Sequence, residues 1–126
     1  MVEREEALVS LASGLEGDVR GATQGRQVTV LFREPWEAAC RELDAALPWL
    51  TRRANLLVEG LETPRSGRLL VGEAVLEITG ETKPCQVMEA AHRGLRNSLK
   101  PDWRGGVCCR VISGGKIRIG DPVELL

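Results

Sequence analysis

Val107-Cys108-Cys109-Arg110-Val111-Ile112 and Lys116-Ile117-Arg118-Ile119, separated by Ser113-Gly114-Gly115, decide the fold class. Both flanks are rich in β-branched residues, and a Gly-Gly pair between two such runs predicts a hairpin with a two-residue turn. Asp121-Pro122 then turns the chain into a last strand at Val123 to Leu125. Upstream, Val75 to Thr79 is a further strand, followed by the turn-rich Gly80-Glu81-Thr82-Lys83-Pro84. Leu69 to Val71 and Leu56 to Val58 are short strands bounded by Gly60 and the Pro64 to Gly67 loop. Val28, Val30 and Phe32 alternate with Gln27, Thr29 and Leu31, which predicts another. Between residues 2 and 18, alternating Ala7, Val9 and Leu11 favour a strand, a helical period being left open over so short a run. Gly14-Leu15-Glu16-Gly17-Asp18 reads as a turn, with Gly21 and Gly25 extending a loop.

Two helices complete the picture. Pro35 suits the first position of one, and Trp36, Ala39, Cys40, Leu43 and Leu47 fall on one face at helical spacing until Pro48 ends it. The second runs through Val87, Met88, Ala91 and Leu95. Six or seven short strands and two helices, without regular βα alternation, predict a mainly β, antiparallel or mixed barrel with peripheral helices. With 126 residues, a single domain over 1–126 is expected.

Composition narrows the function. Hydrophobic residues at 43% and charged residues at 28% give the balance of a folded chain. Lys plus Arg (17) nearly cancels Asp plus Glu (18), and there are three Trp, one Phe and no Tyr. Neither a field for a phosphate backbone nor a stacking platform is offered, so nucleic acid is not an expected partner. Glu3, Glu5 and Glu6 do not suit a signal peptide, and no apolar run reaches the roughly 18 residues of a spanning helix. A cytoplasmic protein without membrane contact is expected.

Cys40, Cys85, Cys108 and Cys109 contain no CxxC pair, which argues against zinc and for free thiols. Cys40 belongs to an apolar helix face, and Cys108 and Cys109 should point to opposite faces of a strand. Cys85 differs: it follows a turn at or near the start of a helix, with Lys83 two residues away. Both features favour the thiolate, the form that attacks sulfur or ligates a soft metal. Arg52, Arg53 and Asn55 precede a short strand and offer a guanidinium fork and an amide to a phosphate or heterocycle. Read alone, they are equally ordinary surface. His92 has no nucleophile at recognisable spacing, and the glycine-rich stretches match neither the Walker nor the dinucleotide fingerprint.

Taken in order, Gly14-Leu15-Glu16-Gly17-Asp18, Arg53-Ala54-Asn55-Leu56, Lys83-Pro84-Cys85 and Gly114-Gly115-Lys116-Ile117-Arg118-Ile119-Gly120-Asp121 resemble the MOSC family, named for the C-terminal domain of molybdenum cofactor sulfurase. The resemblance spans about residues 14 to 125. It implies a barrel-like domain in which one cysteine, matched by Cys85, ligates molybdenum or carries sulfur destined for it. It also implies that Arg53 and Asn55 bind the pterin and phosphate of molybdenum cofactor (molybdopterin), with Lys83 beside the cysteine in the same cofactor-binding set. Val19 and Arg20 stand where many relatives have Arg-His, and Lys83 where some have Arg. Larger members add a pyridoxal phosphate-dependent desulfurase or a ferredoxin-like domain, and 126 residues leave no room for either. The resemblance implies a cofactor-binding or sulfur-carrier domain that passes sulfur or cofactor to a biosynthetic or molybdoenzyme partner. Its alternatives are a molybdenum-dependent reductase of N-hydroxylated compounds fed by a separate reductase, and a non-catalytic interaction barrel.

Overall fold

The structure, a computed structural model, describes residues 6–10, 14–15, 28–52 and 54–126; for residues 6–10, 14–15 and 50 it describes the backbone alone. The strands are β1 (Glu6–Ser10), β2 (Gly14–Leu15), β3 (Val28–Phe32), β4 (Leu56–Val58), β5 (Arg68–Val71), β6 (Ala74–Glu81), β7 (Val107–Ser113), β8 (Gly115–Arg118) and β9 (Val123–Leu125). Three short helices, α1 (Arg33–Glu42), α2 (Gln86–Ala91) and α3 (Leu95–Ser98), and two 3-10 turns, Trp49–Arg52 and Pro101–Trp103, join them.

Six strands in the order β4-β3-β7-β6-β5-β9 form a mixed sheet that curls into a nearly closed barrel, as the strand pattern predicts. The β3–β4 pair is parallel, which requires a crossover, and α1 supplies it; the other pairs are antiparallel. Curling follows from burial: Val28, Val30, Phe32, Val58, Leu69, Val71, Leu76, Ile78, Val107, Cys109 and Val111 come from five strands yet share one apolar cluster. The opposite face of β3 is also covered. Leu31 packs with Trp36, Ala39, Cys40, Ala54, Met88, Leu95 and Leu99 in a second cluster under the helices. Hence all five residues of β3 are buried, and this strand is the shared wall of both cores.

Four expectations are corrected. The residues around Gly114-Gly115 do not close a hairpin, because Gly114 does not take the positive φ that a two-residue turn demands at its first position. Instead β7 stays between β3 and β6 while β8 leaves for β1, pairing Glu6 with Arg118 and Val9 with Gly115 in a separate sheet, β2-β1-β8. The first helix begins at Arg33, with Pro35 still inside the first turn, where a missing N–H costs nothing. It ends at Glu42 rather than Pro48. Asp44 takes φ 49°, its N–H donates to the Arg41 carbonyl (3.0 Å), and that of Ala45 donates to the Cys40 carbonyl (3.0 Å), a Schellman closure. The second helix is split where Gly94 takes φ 87°; the Glu89 carboxylate spans the break by accepting from the Gly94 (3.0 Å) and Arg96 (3.4 Å) amides. Gly14 and Leu15, read as part of a turn, form β2 against β1, whereas Glu16, Gly17, Asp18, Gly21 and Gly25 lie outside the described residues.

Cys108 and Cys109 occupy opposite faces of β7, as expected: Cys109 lies in the barrel core, and Cys108 meets Thr82 on the outside. Burial pushes the Cys40 thiol up, and pushes that of Cys109 from 9.0 to about 12. Above about pH 9 the unfolded chain therefore loses a proton that folded Cys109 keeps, so stability present below that pH falls as pH rises toward 12. Urea unfolding at about pH 8 and about pH 11 should show this loss shrinking by roughly 2–3 kcal/mol in Cys109→Ala relative to the natural chain. An equal loss in both proteins would refute it.

Candidate functional site

The barrel's chemistry gathers where β6 ends. Beyond Glu81 the chain runs without regular structure through Thr82, Lys83, Pro84 and Cys85 before α2 begins. Pro84 is buried and anchors this loop, while Lys83 and Cys85 on either side of it are exposed. Cys85 precedes the first turn of α2, and its carbonyl accepts from the Met88 (3.0 Å) and Glu89 (3.4 Å) amides. Of the four thiols it alone is exposed; Cys40, Cys108 and Cys109 are buried.

The segment ahead of β4 is drawn toward this loop by Arg52. That side chain, only 7% exposed, donates from Nε to the Gly105 carbonyl (3.0 Å) and from Nη2 to the Thr82 carbonyl (2.6 Å). It closes the 3-10 turn Trp49–Arg52, which packs against α2. One guanidinium thus joins the lead-in to β4, the loop ahead of β7 and the loop that carries Cys85. Its fork geometry permits this, since two N–H groups diverge from one planar centre.

Asn55 has a task in the fold itself. Its Oδ1 accepts from the Thr29 backbone N–H (2.8 Å) and hydroxyl (3.1 Å), and its own N–H donates to Thr29 Oγ1 (3.1 Å). Thr29 pairs with Cys108 across β3 and β7, and paired residues share a face. Cys108 Sγ in turn lies 3.3 Å from Thr82 Oγ1. Two polar groups, Asn55 with Thr29 and Cys108 with Thr82 and Arg52, are therefore set side by side by the register of β3 and β7, the second at the loop of Lys83 and Cys85. Strand register assembles them, and nothing local marks Thr29, Thr82 or Cys108 in the sequence.

Of the residues expected in the site, Cys85 and Lys83 share one exposed loop, Asn55 is tied to β3, and Arg53 lies outside the described residues. An exposed thiol can act as a nucleophile or a soft-metal ligand, and an exposed ammonium can meet an anion. Among the described residues no group of three or more His, Cys, Asp or Glu could hold a metal ion, and no helix is long and apolar enough to cross a membrane.

The fold is shared with known proteins. YiiM from Geobacillus stearothermophilus superposes with a TM-score of 0.76 at 16% identity, over 96% of this chain and 60% of its own. YiiM from Escherichia coli gives 0.74 at 22%, over 96% and 62%, and the YUAD protein from Bacillus subtilis 0.75 at 17%, over 95% and 84%. The chain thus spans about 60% of the length of the YiiM proteins, and at these identities the likeness is one of fold. No curated protein matches the chain. The family model for the MOSC domain matches residues 17–124, from ahead of β3 into β9 and across the whole Cys85 loop. By that match, and with the barrel and its exposed cysteine loop in place, the chain belongs to the MOSC domain family.

Proposed function

We propose that this chain binds molybdenum cofactor, or carries sulfur as a persulfide, on Cys85 and hands cofactor or sulfur to a partner protein. The observation that carries this reading is that one thiol of four is exposed, on a loop pinned by a buried arginine. Membership of the MOSC family supports it. The residues present suit the cofactor: Cys85 offers sulfur to molybdenum, and Lys83 offers a cation to the phosphate. When bound, the cofactor would supply redox and sulfur-accepting chemistry at the metal. Cys85 would hold it, Lys83 would orient its anionic end, and Arg53 is proposed to reach the same anion. Asn55 takes part chiefly through its neighbours, because Thr29 already occupies its carbonyl oxygen. The partner would be a cofactor-synthesising protein or a molybdoenzyme, with sulfur arriving from a separate donor.

Molybdenum retained after anaerobic incubation with free molybdenum cofactor and gel filtration tests this reading. The natural chain should keep metal, and Cys85→Ser should lose at least about nine-tenths of it, since even the loss of a group that only orients a ligand costs about tenfold or more. Equal, negligible metal in both proteins would exclude cofactor binding. Mass spectrometry after exposure to a sulfane-sulfur donor then decides sulfur carriage: the natural chain becomes one sulfur atom heavier at Cys85, or it does not and the reading fails.

A further inference from the structure

We infer that Arg52 is the positioning residue of this site: by holding the Thr82 and Gly105 carbonyls together it fixes the backbone from which Lys83 and Cys85 project. This inference rests on the cofactor-binding reading of Cys85 for its functional consequence, and on geometry alone for its structural one. A cation 93% withdrawn from water beside two backbone carbonyls is an unusual device for closing a loop, since apolar packing would serve stability as well. What a forked cation adds is a fixed distance between two chain segments. One of them is three residues from Cys85. The other leads directly into β7, where Gly106 accepts from the Thr82 amide (3.0 Å), so the loop is held at both its carbonyl and its N–H. Gly105 belongs to the same device. A Cβ there would stand 2.8 Å from the Thr82 oxygen and 3.1 Å from Arg52 Nη2, so only a residue without a side chain lets the three groups meet.

Two substitutions disturb the clamp from opposite sides. Arg52→Met removes the cation, and Gly105→Ala leaves it in place but wedges the carbonyls apart. Arg52→Lys keeps a charge able to hold one carbonyl. In the full chain, hydrogen exchange at the Thr82 amide should quicken at least about tenfold in Arg52→Met and Gly105→Ala, with β5 and the barrel core unchanged and Arg52→Lys between. Molybdenum retention, normalised to folded protein by circular dichroism, should fall about tenfold in the first two and recover in Arg52→Lys to at least half the natural value. Unchanged exchange at Thr82, or exchange that quickens uniformly across the barrel, overturns the inference. So does faster exchange at Thr82 with metal retention intact. If the natural chain retains no molybdenum, the cofactor reading fails by itself, and the exchange measurement still decides whether Arg52 sets this loop. If Arg52→Met does not fold, Gly105→Ala carries the same test.

Discussion

Gly106→Ala is expected to lower unfolding stability by about 2–4 kcal/mol, combining a left-handed backbone penalty of about 1 kcal/mol with overpacking of about 1–3 kcal/mol. Gly106 takes φ 94°, and a Cβ on it would lie 2.2 Å from the Val30 oxygen, 3.1 Å from that carbonyl carbon and 3.2 Å from the Leu31 Cα. All three atoms are backbone of β3, the strand buried on both faces, so no side chain can swing aside. Relief would have to come from moving the shared wall of both cores, or from releasing the Gly106 carbonyl from the Thr82 amide. Gly60 is the matched control: its φ is 85°, and nothing lies within 4 Å of a Cβ built there. Gly60→Ala should therefore cost only the conformational part, about 1 kcal/mol. Urea unfolding of both variants checks the pair, and equal losses would mean that β3 does not press on Gly106.

Asn55→Ala should cost about 2–3 kcal/mol even with no cofactor in solution, because it removes the acceptor of both the Thr29 N–H and the Thr29 hydroxyl proton at a site 5% exposed. Asn55→Asp keeps oxygen acceptors toward both donors and should hold most of that stability, while replacing the amide with a negative charge that an anionic cofactor would meet unfavourably. The two variants separate the roles a motif alone runs together. If asparagine serves the strand pair, alanine destabilises and aspartate does not. If it serves only a ligand, both unfold like the natural chain and both lose metal, and the fold-supporting role assigned to Asn55 is wrong.

The sequence carries the strand inventory well because β propensity and alternation are local. Val28 to Phe32, Val75 to Thr79 and Val123 to Leu125 all lie within strands of the structure. What it misreads is how the strands end and whom they join. Gly114-Gly115 looks like a turn by composition, yet the partner of Lys116 and Ile117 lies more than a hundred residues upstream, at Leu8 and Ala7. The first helix stops early because Asp44 accepts a conformation usually left to glycine, which no apolar periodicity reveals. For the site, the distinction of Cys85 from the other thiols is legible, since Cys40 shows helical and Cys109 strand-core patterning. The task of Arg52 is not, because the carbonyls it joins, at positions 82 and 105, are backbone groups that any sequence would provide.

The pairing of β1 with β8 sets the order in which the molecule can be completed. During synthesis residues 6 to 9 emerge more than a hundred residues before residues 115 to 118, which close their hydrogen bonds. Until then β1 pairs, among the described residues, with the two-residue β2 alone, and one edge stays open as a template for other chains. The six-stranded barrel, by contrast, needs nothing from the first ten residues to assemble its ladder. Folding is thus expected to proceed with the barrel formed and the small sheet last, so that crowding of nascent chains threatens this protein first through β1.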